Sequence, residues 1–290
     1  MSPTDAPIVV LDSGLGGLTV ARAIRAALPH ESILYFGDTA RVPYGSKTAA
    51  TVTTFVRQIL TYFRSYAPKH VVVACNTATA LAMPHIRAEF PELSMSGVIE
   101  PGAKAAVVAG GSKETPIIGV IGTEATIRSK AYERAIHRRR AMARILLRPA
   151  PLLVPIIEEG RSLDDPIVSL ALKQYLAPLI ERGIDVLVLG CTHYPILKGL
   201  IEQMVGPAVR VIDSAERCAE DVARRLVSTG MLRSASIGGG ALRCFVTDNS
   251  PRFTWLANRF LGMKIEPPTL VSVDELYEGE RRLQHLRPAI

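Results

Sequence analysis

The sequence predicts an α/β protein of two related halves built on parallel sheets, and three observations carry that prediction. Short aliphatic runs such as Ile8–Leu11, Val71–Val73 and Val186–Leu189 have the length and continuity of strands buried on both faces, as in parallel sheets. Stretches with apolar residues at helix spacing follow, among them Leu18–Leu28 and Thr48–Tyr66. The third observation is a repeat: Val71-Val-Val-Ala-Cys75-Asn76-Thr77 and Val186-Leu-Val-Leu-Gly-Cys191-Thr192-His193 are versions of one phrase, an aliphatic strand ending in a thiol and then small polar residues. A second pair, Val10-Leu-Asp12-Ser13-Gly and Val120-Ile-Gly-Thr123-Glu, recurs at a similar offset.

Composition bounds the rest. With 290 residues, 48% of them hydrophobic, the chain is long enough for two α/β units of ordinary size. No apolar run reaches the ~18 residues of a membrane span, and Met1–Pro7 does not resemble a secretory signal. A cytoplasmic protein with no membrane partner is expected. Four cysteines, Cys75, Cys191, Cys218 and Cys244, form no CxxC pair, so reduced thiols are expected, with no disulfide framework and no metal site. The net charge of +7 is local: residues 128–148 hold eight Lys or Arg against one Glu, and the remainder balances. A solvated helix face explains such a run; nucleic acid is an unlikely partner, and an acidic protein partner is the alternative.

In chain order, Ile8–Leu11 is a strand, Asp12–Gly17 a Gly-rich turn and Leu18–Leu28 a helix. A carboxylate at the head of that turn would repel a pyrophosphate, so Asp12 is either a cap or a group for polar chemistry. Ser32–Phe36 is a strand, and Gly37–Lys47, containing Tyr44 and Gly45, is a loop of the length that carries function. The helix after Cys75, capped by Asn76 or Thr77, would aim its first N–H groups at the thiol and lower its pKa. Residues 103–109 form a helix, Pro116–Ile121 a strand ending at Thr123, and 127–143 one long basic helix. Glu158 is either a site carboxylate or a helix-start charge. A helix opens at Asp165-Pro166 and runs through Ile180, and Val209–Asp213 is a strand. Cys218, on a helix over 215–227, and Cys244, in a strand with one exposed face, belong to packing. Residues 272–290 form a docking helix with a frayed tail.

Two thiols at equivalent strand ends, facing one another across a cleft, suit one reaction in particular. A thiolate on one side removes a proton from a carbon acid, and the opposing thiol delivers one to the other face, which inverts a stereocentre. Asp12, Glu158 and His193 are placed to bias or relay these protons. Asn76, Thr77, Thr123 and Thr192 supply amide and hydroxyl groups for a charged substrate.

Together, Asp12-Ser-Gly-x-Gly-Gly, Pro43-Tyr-Gly45, Cys75-Asn-Thr77 and Gly190-Cys-Thr-His-Tyr194 resemble the glutamate racemases of the cofactor-independent aspartate/glutamate racemase superfamily. The resemblance runs from about Ile8 to Asp213 and implies two pseudo-symmetric flavodoxin-like domains with the active site between them. It places residues 1–98 and 210–290 in the first domain and 99–209 in the second. It implies interconversion of L- and D-glutamate for peptidoglycan, no cofactor, and a homodimer. Cys75 and Cys191 would be the acid/base pair, with Asp12, Glu158 and His193 assisting. Asp12, Ser13, Tyr44, Gly45, Asn76, Thr77, Thr123, Thr192 and His193 would contact the substrate. Relatives often carry a third cysteine before Pro151; here it is Ala150. The extended activator-binding segment of some relatives has no obvious counterpart, so activity without a cell-wall precursor is expected. Racemisation of aspartate is the nearest rival activity, and thiol redox chemistry is disfavoured by the lack of a resolving cysteine.

Overall fold

The computed structural model of the chain describes residues 2–286. β1 (Ile8–Asp12) is buried throughout and passes through a five-residue turn into α1 (Leu18–Ala27). β2 (Ile33–Gly37) leads through two single 3₁₀ turns to α2 (Ala49–Phe63), whose first turn is capped by the Thr48 hydroxyl accepting from the Thr51 N–H. β3 (His70–Val73) runs into α3 (Asn76–Leu81) and α4 (Met83–Glu89), and β4 (Met95–Gly97) into α5 (Ile99–Ala109). The second half repeats the plan. β5 (Ile117–Gly122) precedes α6 (Glu124–Arg128) and α7 (Ala131–His137); β6 (Arg144–Pro149) precedes α8 (Leu153–Glu158) and α9 (Pro166–Ile180). β7 (Val186–Gly190) precedes α10 (Lys198–Val205), and β8 (Arg210–Asp213) runs straight into α11 (Ser214–Ser228). The chain closes with β9 (Leu242–Val246), α12 (Pro251–Leu261), β10 (Thr269–Leu270) and α13 (Val273–Leu286).

Among the described residues the strands form two parallel sheets, ordered β10-β9-β2-β1-β3-β4 and β6-β5-β7-β8. The segment β2-β1-β3-β4 of the first has the same order as β6-β5-β7-β8, so the repeat read from the cysteine phrases is present in the topology. In each half the chain leaves the first strand to one side and then returns to the other, which opens a crevice at the strands' carboxyl ends. Asp12, Cys75, Thr123 and Cys191 stand at those ends.

α11 joins the halves. Its buried residues Ala215, Cys218, Ala219, Val222 and Leu226 recur at helix spacing and pack it against α1 of the first half and α5. Each fully buried Val or Leu there contributes about 1.5–3 kcal/mol.

Several sequence expectations are corrected. The basic helix over 127–143 is two helices, because Lys130 adopts a left-handed backbone (φ 54°) between α6 and α7. β9 is an interior strand between β2 and β10, exposed at Arg243 and buried from Cys244 to Val246. Glu158 is the last residue of α8 rather than a helix-start charge. Residues 210–213, which the resemblance groups with the first half, pair with β7 in the second sheet. Of the expected docking helix, Val273–Leu286 is helical and its tail, 287–290, lies outside the described residues. Arg138 and Arg139 of the basic segment both pair with Glu100, and Arg140 donates to the Gly111 carbonyl. No helix among the described residues is long and apolar enough to cross a membrane.

Candidate active site

A cavity of about 460 Å³ lies where the carboxyl ends of the two sheets meet, and both cysteines line it. Ser13, Tyr44, Gly45, Asn76, Thr77, Thr123, Glu158, Thr192 and His193 line it as well. Asp12 stands just behind this wall, buried, with one carboxylate oxygen accepting from the Gly14 N–H and the other without a hydrogen-bond partner. Val42, Pro43, Pro151, Val154 and Pro155 complete the cavity's apolar lining.

The first thiol caps its own helix. Cys75 is the N-cap of α3, and its sulfur accepts from the Ala78 N–H at 3.5 Å, a role the sequence assigns to Asn76 or Thr77. The thiol donates to the Ser13 hydroxyl at 3.5 Å. Burial is the largest influence on this group and the Asp12 carboxylate adds to it; together they outweigh those hydrogen bonds and push Cys75 up to about 12. It is therefore a protonated thiol in the unliganded site.

The second thiol is set differently. A helix does not begin at Cys191: a 3₁₀ turn over Tyr194–Leu197, with Pro195 in it, comes before α10 starts at Lys198. In place of a helix N-terminus, an imidazole stands beside this sulfur. His193 Nδ1 lies 3.8 Å from the Cys191 sulfur, and its Nε2 lies 2.8 Å from a Glu158 carboxylate oxygen. Burial alone would lower the imidazole's pKa, but its bonds and charge interactions with Cys191 and Glu158 raise it to about 10. Burial raises Glu158 in turn, and the same imidazole more than reverses this, leaving the carboxylate below its usual range. The result is a thiol, imidazolium and carboxylate in line, the arrangement that activates a sulfur nucleophile or base. Phe260 of α12 packs edge-on against the imidazole with ring centroids 5.6 Å apart.

Contacts between the halves hold the site. The hydroxyls of Thr77 and Thr123 are 2.9 Å apart, and Thr126 lies within 3.2 Å of Thr77. Thr19 of α1 donates to the Thr192 carbonyl at 2.9 Å. Gly16 allows this approach, since a Cβ there would stand 2.3 Å from the Thr192 hydroxyl oxygen and 2.5 Å from His193 Nδ1.

Two buried side chains are absent from the sequence reading. Asp38 accepts the Tyr44 hydroxyl, the Arg41 guanidinium and the Thr247 hydroxyl, so the Tyr44 hydroxyl donates within the protein. Tyr132 of α7 donates to the Asn76 side-chain carbonyl at 2.8 Å. Neither has a local signal: Asp38 reads as a turn former, and Tyr132 sits in a basic segment. Among the described residues no group of three or more His, Cys, Asp or Glu is arranged to hold a metal ion.

Known proteins share this architecture. The family model described as Asp/Glu/Hydantoin racemase matches residues 18–222. The glutamate racemase of Chlorobaculum tepidum is 42% identical over 270 residues, covering 93% of this chain and 97% of that protein. The crystal structure of glutamate racemase from Francisella tularensis in complex with D-glutamate superposes with a TM-score of 0.85 at 33% identity, covering 93% of this chain and 99% of that one. The Thermus thermophilus enzyme, solved with β-chloro-D-alanine, gives a TM-score of 0.83 at 42% identity, covering 94% and 99%. With matches of this extent and a two-thiol cleft between its halves, the chain belongs to the Asp/Glu/Hydantoin racemase family of isomerases, alongside the glutamate racemases.

Proposed function

We propose that the protein interconverts L- and D-glutamate without a cofactor, Cys191 and Cys75 acting on opposite faces of the α-carbon. The observation that carries this reading is the pair of buried thiols in one cavity, one supplied by each half, in opposite electrostatic settings. In this reading Cys191, whose sulfur lies 3.8 Å from His193 Nδ1, acts as the base in one direction, and Cys75, held protonated by burial, acts as the acid. The Cys191 thiolate takes the α-proton, the charge passes to the substrate carboxylate as an enediolate, and the Cys75 thiol protonates the far face. The enzyme is then left with Cys75 as thiolate and Cys191 as thiol, ready for the opposite enantiomer. Asp12, whose carboxylate charge acts on Cys75, relays the proton that resets the pair; Glu158, hydrogen-bonded to His193, does the same there.

An unused hydrogen-bonding group supports a carboxylate substrate. The Asn76 amide nitrogen, on a residue of the cavity wall, is a buried donor without a protein partner, which matches a carboxylate. Glutamate rather than aspartate is favoured by the substrate named for the extensive relatives. The reading also takes residues 1–98 and 214–290 as one domain and 99–213 as the other. It places a homodimer in the cytoplasm, supplying D-glutamate for peptidoglycan.

The test is circular dichroism of purified protein with L-glutamate and, separately, L-aspartate. Loss of optical activity with kcat/KM for glutamate at least about 100-fold above that for aspartate is expected. Faster turnover of aspartate would overturn the substrate assignment.

A further inference from the structure

Tyr132 touches both cysteine phrases. Its ring is wedged at the end of β7, where a Cβ on Gly190, the residue before Cys191, would lie 3.2 Å from its Cε2. On another side α5 presents Gly102, whose Cβ would lie 3.4 Å from the phenol oxygen. The side chain is 1% exposed, and its hydroxyl donates to Asn76 Oδ1, beside Cys75. Asn76 is itself 2% exposed and lines the cavity, while its Nδ2 has no partner.

A primary amide has two nearly isosteric ends, and in a buried site nothing in its own shape selects which end faces inward. A donor on one side selects it: the phenol satisfies the carbonyl oxygen and leaves the amide nitrogen as a buried donor with no protein partner in a residue on the cavity wall. An amide turned the other way would present a carbonyl oxygen to an anionic substrate and repel it. We infer that Tyr132 is a positioning residue for substrate binding, fixing the Asn76 amide so that its N–H groups receive the substrate's carboxylate. Because the phenol is carried by the second half and the amide by the first, the donor is aligned only while the two halves are docked at this contact. The inference rests on the racemase reading, since it requires a carboxylate substrate.

Wild-type racemisation of glutamate is measured first, then Tyr132→Phe, Asn76→Ala and the double variant. The carboxylate is charged in the ground state and gains charge as the enediolate forms, so Tyr132→Phe raises KM and lowers kcat as well, with kcat/KM down at least about tenfold, the equivalent of one hydrogen bond to a charged group. In the Asn76→Ala background the same change has no further effect on kcat/KM, because Tyr132 acts through Asn76. An unchanged kcat/KM for Tyr132→Phe, or an equal loss in both backgrounds, overturns the inference while leaving the racemase reading intact; an inactive wild type overturns both. Asn76→Asp keeps an acceptor for the phenol and places an oxygen where the amide hydrogens were. It lowers kcat/KM at least about 30-fold with Tyr132 intact, and an unchanged kcat/KM there overturns the inference even if Tyr132→Phe does not fold.

Discussion

Cys75 and Cys191 occupy corresponding strand ends in different surroundings, and the difference lies in their neighbours. Cys75 faces Asp12 and the Ser13 hydroxyl, whereas Cys191 faces the His193 imidazolium. Replacing either cysteine by serine is expected to lower kcat by about 10³-fold or more, since one of the two proton transfers loses its acid/base group; racemisation assays check it, and a variant of either kind retaining a tenth of wild-type activity would refute the pair. The imidazole gives a pH prediction. Its folded pKa of about 10 lies above the usual 6.5, so its contribution to stability is full below the lower value and is lost as pH rises through the upper one. Glu158 is depressed, so its share is present above the usual carboxylate pKa and is lost as pH falls. The melting-temperature gap between wild type and His193→Asn should therefore be wide at pH 6 and close by about pH 10; a gap that does not change would contradict the ion pair. Asp12, Cys75 and Cys191 are legible in the sequence because each sits within two positions of a strand end, and His193 because it follows Cys191 by two. Asp38 and Tyr132 are not, because what makes them functional is a partner brought up by tertiary packing.

At the scale of elements, the turn between β1 and α1 depends on the turn after β7. Gly16 lies where the Thr192 and His193 side chains need room, and Thr19 one turn later secures the Thr192 carbonyl. Gly16→Ala is expected to displace His193 and lower kcat about 100-fold, in the range that an ångström of misplacement produces, with far-UV circular dichroism unchanged. Wild-type kcat in that variant would show that the contact does not position the imidazole. Strand-to-helix units with strong periodicity, such as β1–α1 and the Asp165-capped α9, are read correctly from sequence. The α6–α7 break is not, because the left-handed Lys130 carries no glycine to announce it. β6 is also missed: its apolar residues Ile145, Leu146 and Leu147 are only three and lie between Arg144 and Arg148 at the end of a basic segment.

For the molecule as a whole, the site exists only where the halves meet, held by the Thr77–Thr123 and Thr19–Thr192 hydrogen bonds and by α11 between the halves. A ligand bound there links the halves, so D-glutamate at 100 times its Kd should stabilise the fold by about 2.7 kcal/mol, read as a rise in melting temperature. Dialysis against a chelator should leave the racemisation rate unchanged, since every proton transfer described uses side chains of this chain. The two-half plan is legible because the repeated phrase marks it, whereas the return of the last strands to the first sheet is long-range and leaves no local pattern. The central claim is that two groups serve two faces, and the most direct measurement is racemisation of L-glutamate in D₂O, stopped at low conversion, with both enantiomers separated and weighed by mass spectrometry. The D-glutamate formed should carry one α-deuterium while the remaining L-glutamate keeps its α-hydrogen; deuterium in both enantiomers alike would mean that a single group serves both faces.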